Sequence, residues 1–139
     1  MEKYFEIAYK EAKKAYKKGE IPVGAVIIKN NKIISKSHNN RQKKFNILGH
    51  AEINCILKAE KKLKDWRLDG CELFVTLEPC EMCEKIIKES RVSKVNYLLT
   101  KESTNKTNKK QTFFNNKMAE EYYNLLTNFF KKLRNKVIK

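Results

Sequence analysis

The sequence predicts an α/β fold built on one central mixed sheet with helices covering both faces. Three patterns carry this expectation. Helical periodicity opens and closes the chain, a β-branched pair of runs around an Asn-Asn turn follows the first helix, and short apolar strands then alternate with helices. The element order that results is α-β-β-α-β-α-β-(β)-α, and a hairpin followed by βα alternation mixes antiparallel and parallel pairing. At 139 residues the chain is one domain's worth, residues 1–139, with no internal repeat.

Residues 3–18 place Phe5, Ala8, Tyr9, Ala12, Ala15 and Tyr16 at helical spacing, with Lys and Glu between them. Gly19 suits a left-handed helix end, and Pro22 prevents a restart. Val23 to Ile28 and Lys32 to Ser35 flank Asn30-Asn31 and read as a hairpin. Residues 36–49 are polar and read as irregular. A helix is expected from His50 to about Leu63, with Ile53, Ile56, Leu57 and Ala59 on its inner side. Leu73 to Leu77 is a short buried strand stopped by Pro79, and Cys80 to about Ser90 a helix with Ile86 and Ile87 inward. Val95 to Leu99 is another strand. Residues 101–112 read as an exposed loop, and Thr112-Phe113-Phe114 as a short strand. A helix from about Lys117 carries Met118, Tyr122, Leu125, Leu126, Phe129, Phe130, Leu133 and Val137 on its apolar face.

The chain shows neither a signal-peptide run nor a stretch of roughly 20 apolar residues, so a soluble, cytoplasmic protein with no membrane partner is expected. The net charge of +15 and pI near 9.7 favour polyanions. Only four of the 31 basic residues are Arg, and the abundance of Lys, Asn, Ile, Tyr and Phe also fits AT-rich coding, so charge alone supports nucleic-acid binding weakly. Four cysteines (Cys55, Cys71, Cys80 and Cys83) without an export signal disfavour disulfides and raise the question of a metal at the close pair.

The chemistry is concentrated in His50-Ala51-Glu52 and Pro79-Cys80-Glu81-Met82-Cys83. Both segments fall at expected helix starts. Cys80 and Cys83 share a helix face, and the N-terminal dipole there is expected to lower a thiol's pKa. Pro79 is tolerated because a helix start has no use for its missing N–H. One imidazole and two thiolates suit Zn²⁺, and three protein ligands leave a fourth position for a water that the metal acidifies. At a first turn Glu52 can lie alongside that water, take its proton and return it to a substrate nitrogen. A redox Cys-x-x-Cys lacks the upstream His-x-Glu, and a structural zinc normally has four protein ligands. Cys55 and Cys71 read as ordinary buried thiols.

This constellation resembles the His-x-Glu…Pro-Cys-x-x-Cys signature of the zinc deaminases of the cytidine-deaminase superfamily. Further segments resemble a narrower group, the bacterial-type tRNA adenosine deaminases. They are Ile21-Pro22-Val23-Gly24-Ala25-Val26, Ser37-His38-Asn39-Asn40-Arg41, Gly49-His50-Ala51-Glu52-Ile53, Trp66-Arg67-Leu68 and Leu73 to Cys83, with Leu125-Leu126 and Phe129-Phe130-Lys131 in the last helix. The resemblance implies a cytidine-deaminase-like three-layer α/β/α sandwich, one Zn²⁺ per subunit, a homodimer, and a tRNA anticodon stem-loop whose wobble adenosine becomes inosine. It also implies substrate contacts from Asn39, Gly24, Ala25, Ala51, Pro79, Phe129, Phe130 and Arg134. On the residues alone Asn39 reads as a turn Asn, Gly24 as a small residue where helix meets sheet, and the two Phe equally well as core. The resemblance lapses after Leu99, where Lys101-Glu102-Ser103-Thr104-Asn105-Lys106 replaces an Asp and a Gly-Ala-Gly-Ser-type run. The alternatives are a free-base or nucleoside deaminase for cytosine, guanine or cytidine, a non-catalytic RNA-binding zinc protein, and a redox Cys-x-x-Cys protein.

Overall fold

The computed structural model describes residues 2–104 and 116–138. Helix α1 (Glu2–Lys17) ends at Gly19, whose φ of 76° is the left-handed conformation expected there. Strands β1 (Gly24–Lys29) and β2 (Lys32–His38) form the hairpin; Asn30 and Asn31, at φ 51° and 63°, supply the two positive values that such a tight turn demands. There follow α2 (Arg41–Lys44), α3 (Ala51–Leu63), β3 (Cys71–Leu77), α4 (Glu81–Glu89), β4 (Lys94–Leu99), a 3₁₀ turn over Lys101–Thr104, and α5 (Lys117–Ile138). The short strand expected at Thr112-Phe113-Phe114 lies outside the described residues.

The sheet order is β2-β1-β3-β4, antiparallel at β2–β1 and β1–β3 and parallel at β3–β4. The mixed sheet expected from the hairpin and the βα alternation is therefore present. Its central strands are buried on both sides. Val26, Ile28 and Phe74 meet Tyr4 and Ala8 of α1, while Ala25, Ile27, Leu73 and Val75 meet Ile53, Ile56 and Ala59 of α3 and Ile87 of α4. Helix α5 joins α1's side, packing Tyr122 and Leu126 against Ala12 and Leu99. Two expectations are corrected. The segment expected to be irregular continues β2 to His38 and then forms α2, because ladder pairing of Gly24 with His38 and Ala25 with Ser37 satisfies a polar stretch without apolar periodicity. Leu57 is exposed, since α3's buried stripe runs through Ile53, Cys55, Ile56 and Ala59 and turns Leu57 outward.

α1 lies so close to β1 that only glycine fits at position 24. A Cβ there would collide with the Ala8 carbonyl oxygen and sit 2.5 Å from the Ala12 nitrogen. The contact also buries Glu11, whose Oε2 accepts from Lys14 Nζ at 2.6 Å and whose Oε1 accepts from His38 Nδ1 at 3.0 Å. Lys18 Nζ lies 3.2 Å from His38 Nε2. An ammonium can only donate, which assigns the proton to Nδ1 and leaves Nε2 as acceptor.

Burial opposes ionisation of Glu11, but the hydrogen bonds from His38 and Lys14 and the Lys14 charge outweigh it and hold the carboxyl below its ordinary 4.5. A depressed carboxylate stabilises the fold above its unfolded pKa, and that contribution is lost as pH falls through the folded value. Glu11→Gln should therefore flatten the fall in urea midpoint below pH 4.5 relative to wild type. Parallel acid limbs in the two proteins would show that the carboxylate is not linked to folding.

Candidate metal centre and active site

Helices α3 and α4 start at the same place. His50 is the N-cap of α3, extended at φ −91° and ψ 145°, and Cys80 is the N-cap of α4 at φ −72° and ψ 170°. An N-cap side chain ordinarily accepts a hydrogen bond from its own helix's first turn. Neither His50 nor Cys80 does so. Both side chains are turned instead toward Cys83, one turn into α4. His50 Nδ1 stands 3.4 Å from Cys83 Sγ and 3.9 Å from Cys80 Sγ, and the three potential ligand atoms lie within 4.8 Å of one another. A tetrahedral zinc, with Zn–N of about 2.0 Å and Zn–S of about 2.3 Å, needs N···S separations of roughly 3.5 Å. The donor set and its spacing therefore fit one zinc ion. Other groups of this kind are absent among the described residues.

The electrostatics of the group follow from its burial. Desolvation, assisted by the positive charge of Arg41, lowers the His50 pKa and favours the neutral imidazole that a metal needs. Glu52, 4% exposed, is pushed up to about 7, chiefly by burial and against hydrogen bonds from its own backbone and from Cys83. The sequence led us to expect a lowered thiol pKa at α4's start. For Cys83 burial first, then Glu52 and Cys80, push the thiol the other way, well above the usual range. A cation held by His50, Cys80 and Cys83 would reverse the balance, because its charge would be the largest in the site. Burial likewise raises Cys55, to about 12, against the hydrogen bond from Ser35.

Other candidates take distinct places. Asn39, 8% exposed, is held by its N–H to the Val23 carbonyl at 3.1 Å, and its Oδ1 accepts from the Ala51 N–H at 2.7 Å. It thus does for α3 what the N-cap side chain does not. Ala51 and Pro79 are buried beside the two ligand-bearing helix starts, and Ala25 is buried on the α3 side of β1. Gly24 faces α1, so packing alone accounts for it. Phe129 makes an edge contact with Tyr16 at 6.3 Å and with Phe130 at 5.5 Å, Phe130 packs on the Tyr122–Leu126 cluster, and Arg134 is exposed. The sequence did not disclose a buried chain of hydrogen bonds reaching the site from α5. Tyr122 donates to the Pro22 carbonyl at 2.8 Å, Thr76 hydrogen-bonds Tyr122, and the Gly24 N–H donates to Thr76 Oγ1 at 3.1 Å. Burial, with the nearby Glu52 charge, raises the Tyr122 pKa, so its hydroxyl stays protonated. A tyrosine at an otherwise apolar helix position was the one available signal.

With this geometry established, the chain is seen to belong to the zinc-binding deaminases: the family described as "Cytidine and deoxycytidylate deaminase zinc-binding region" matches residues 1–99. Within that class it is 40% identical to the tRNA-specific adenosine deaminase of Aquifex aeolicus (strain VF5), over 99% of this chain and 98% of the relative. Among solved structures it resembles a protein studied for A-to-I editing by tRNA:A34 deaminases at the wobble position of transfer RNA. That match has a TM-score of 0.69 and 36% identity, over 70% of this chain and 75% of the other. A guanine deaminase from Bacillus subtilis is similar at TM-score 0.68 and 36% identity, over 71% and 64%. The expected fold and zinc cofactor are both borne out.

Replacing either thiolate leaves two protein ligands. Cys80→Ala and Cys83→Ala should each be purified with far less than one zinc per chain by elemental analysis, whereas Glu52→Gln should keep it. Stoichiometric zinc in both cysteine variants would exclude this ligand set.

Proposed function

We propose that the whole chain, residues 1–139, is one deaminase domain that converts the wobble adenosine of a tRNA anticodon loop to inosine. The observation that carries this reading is the 40% identity to a tRNA-specific adenosine deaminase along 98% of that relative's length. The zinc group itself does not distinguish RNA from free-base substrates.

Bound zinc supplies Lewis acidity that lowers the pKa of a water at its open position. Glu52 is the proton carrier. Its carboxyl, buried next to Cys83, takes a proton from the attacking water as oxygen bonds to carbon 6. It gives that proton to the ring nitrogen, and a second transfer to the exocyclic amine lets ammonia leave as the carbonyl forms. One water is consumed, one ammonia is released, and Glu52 ends as it began. Asn39 has its Oδ1 engaged by Ala51, and no described residue accepts from its Nδ2, which is left for the target nucleotide. The backbones at Ala51 and Pro79 flank the ring, and Ala25, on the α3 side of β1, backs the pocket that receives the base. Phe129, Phe130 and the exposed Arg134 give α5 a surface toward the anticodon arm. The target base must leave its stack to reach Glu52, as a hairpin-loop base can.

Two further parts of the reading concern assembly and place. Leu57 and Trp66 are 57% and 56% exposed and border a groove with Ile53, Ile56 and Ile86, an apolar patch between α3 and α4 suited to a second copy of the chain. No helix among the described residues is long and apolar enough to cross a membrane, and a tRNA substrate puts the enzyme in the cytoplasm.

The decisive assay offers the zinc-loaded protein an anticodon stem-loop with a wobble adenosine beside free guanine, cytosine and cytidine. Inosine should form on the stem-loop alone, and Glu52→Gln should reduce its rate at least about a hundredfold. Turnover of a free base without editing would replace this reading with that of a base deaminase. Separately, Leu57→Glu should move the protein from dimer to monomer in sedimentation, and a dimer that survives it would place the subunit contact elsewhere.

A further inference from the structure

The connection from β2 to α3 begins and ends on site residues, Asn39 at one end and His50 at the other. It is rigidly closed between them. Asn40 N–H donates to the Gly49 carbonyl at 2.9 Å, Asn46 N–H to Arg41 O at 3.0 Å, and Gly49 N–H to Asn46 O at 2.9 Å. Gly49 is pressed against the start of α2, where a Cβ would lie 2.6 Å from Arg41 Cα. From beneath, the Glu20 carboxylate, only 2% exposed, accepts from the N–H groups of Gln42 at 3.0 Å and Lys43 at 2.7 Å.

This well-fixed loop presents an arrangement that folding does not explain. Phe45 is 95% exposed, with Ile47 and Leu48 exposed beside it. Its backbone is also left-handed, at φ 51°, a conformation that glycine or asparagine adopts more readily. That backbone caps α2, with the Phe45 N–H donating to the Gln42 carbonyl at 3.3 Å, but a phenylalanine ring there adds nothing to the core. Its surroundings are basic. Arg41, Lys43 and Lys44 are exposed, and no acidic residue occurs between His38 and Ala51.

An exposed ring among cations, on a rigid loop adjoining the catalytic group, matches what single-stranded nucleic acid requires: a face for a base and charges for phosphates. A second copy packed loop to loop would instead bring Arg41, Lys43 and Lys44 against their own counterparts. We propose that the Arg41–Leu48 loop is a nucleotide-stacking platform. On it Phe45 stacks against an unpaired base adjoining the target adenosine, while Arg41, Lys43 and Lys44 hold the neighbouring phosphates. This rests on the RNA reading above and adds a residue that sets which loop conformations are accepted.

The test uses zinc-loaded protein and the same anticodon stem-loop, with 2-aminopurine placed in turn at each position next to the wobble adenosine. Wild type should quench the probe at one position, and Phe45→Ala should abolish that quenching. KM should rise on the order of tenfold in Phe45→Ala with kcat little changed, and Phe45→Trp should restore both signals. The Lys43→Ala/Lys44→Ala variant should make log affinity fall less steeply with log salt, by about 1 in slope for each phosphate that the protein no longer neutralises. Wild-type KM and quenching in Phe45→Ala, with editing intact, would overturn this proposal and leave the RNA reading standing. No editing by wild type would remove both. A dimer-to-monomer shift in Phe45→Ala would assign the ring to a subunit contact and likewise overturn it.

Discussion

Two helix starts must meet for this protein to have any chemistry. His50 begins α3 and Cys80 begins α4, and their side chains come within 3.9 Å only because both helices cover the same face of the sheet. The parallel β3–β4 pair forces the chain to cross over through α4, which brings Pro79 and Cys80 to one end of β3. The convergence has a structural cost. A helix start leaves backbone N–H groups unpaired, and here the two N-cap side chains are committed to the metal group instead of to those donors. Asn39 offsets part of that cost for α3 by accepting from Ala51, so a residue outside the helix supports the ligand-bearing start.

Burial then sets the proton chemistry. Glu52, Cys83 and His50 are all withdrawn from water, and each is shifted toward its neutral form as desolvation dictates. For His50 that is the state a ligand needs. For Glu52 it yields a carboxyl able both to take and to return a proton near neutrality. For Cys83 it is the wrong direction, and only a metal's charge corrects it, so ion binding and thiol deprotonation are coupled.

The helix farthest along the chain also reaches this region. Tyr122 of α5 hydrogen-bonds across a sequence separation of 100 residues to Pro22, and through Thr76 it is linked to the Gly24 N–H. The segment between α1 and β1 is thus fixed from two sides, by α5's hydroxyl and by the close approach of α1 to Gly24. The charged surface follows from the same burial. Glu11 and Glu20 are buried and tied to named donors, so neither adds negative charge to the exposed surface around the β2–α3 connection.

Much of this was legible in the linear sequence. Apolar periodicity located α1, α3, α4 and α5, and β-branched runs with an Asn-Asn turn located the hairpin, because these signals are local and repeat within a few residues. The metal group was also visible, since His-x-Glu and Pro-Cys-x-x-Cys each fit within one helical turn. The extension of β2 to His38 and the turn of α2 were not visible, because ladder partners and the Glu20 carboxylate came from elsewhere in the chain. Leu57's outward face could not be read either, as a helix's apolar stripe is wide enough to admit a residue that the neighbouring elements do not cover. The sequence by itself determined the His50, Cys80 and Cys83 metal group and the order of the main helices and strands. Only the tertiary structure decided the protonation states, the Tyr122–Thr76–Gly24 chain and the exposure of Phe45, because desolvation and long-range hydrogen bonds exist only once distant segments share one interior.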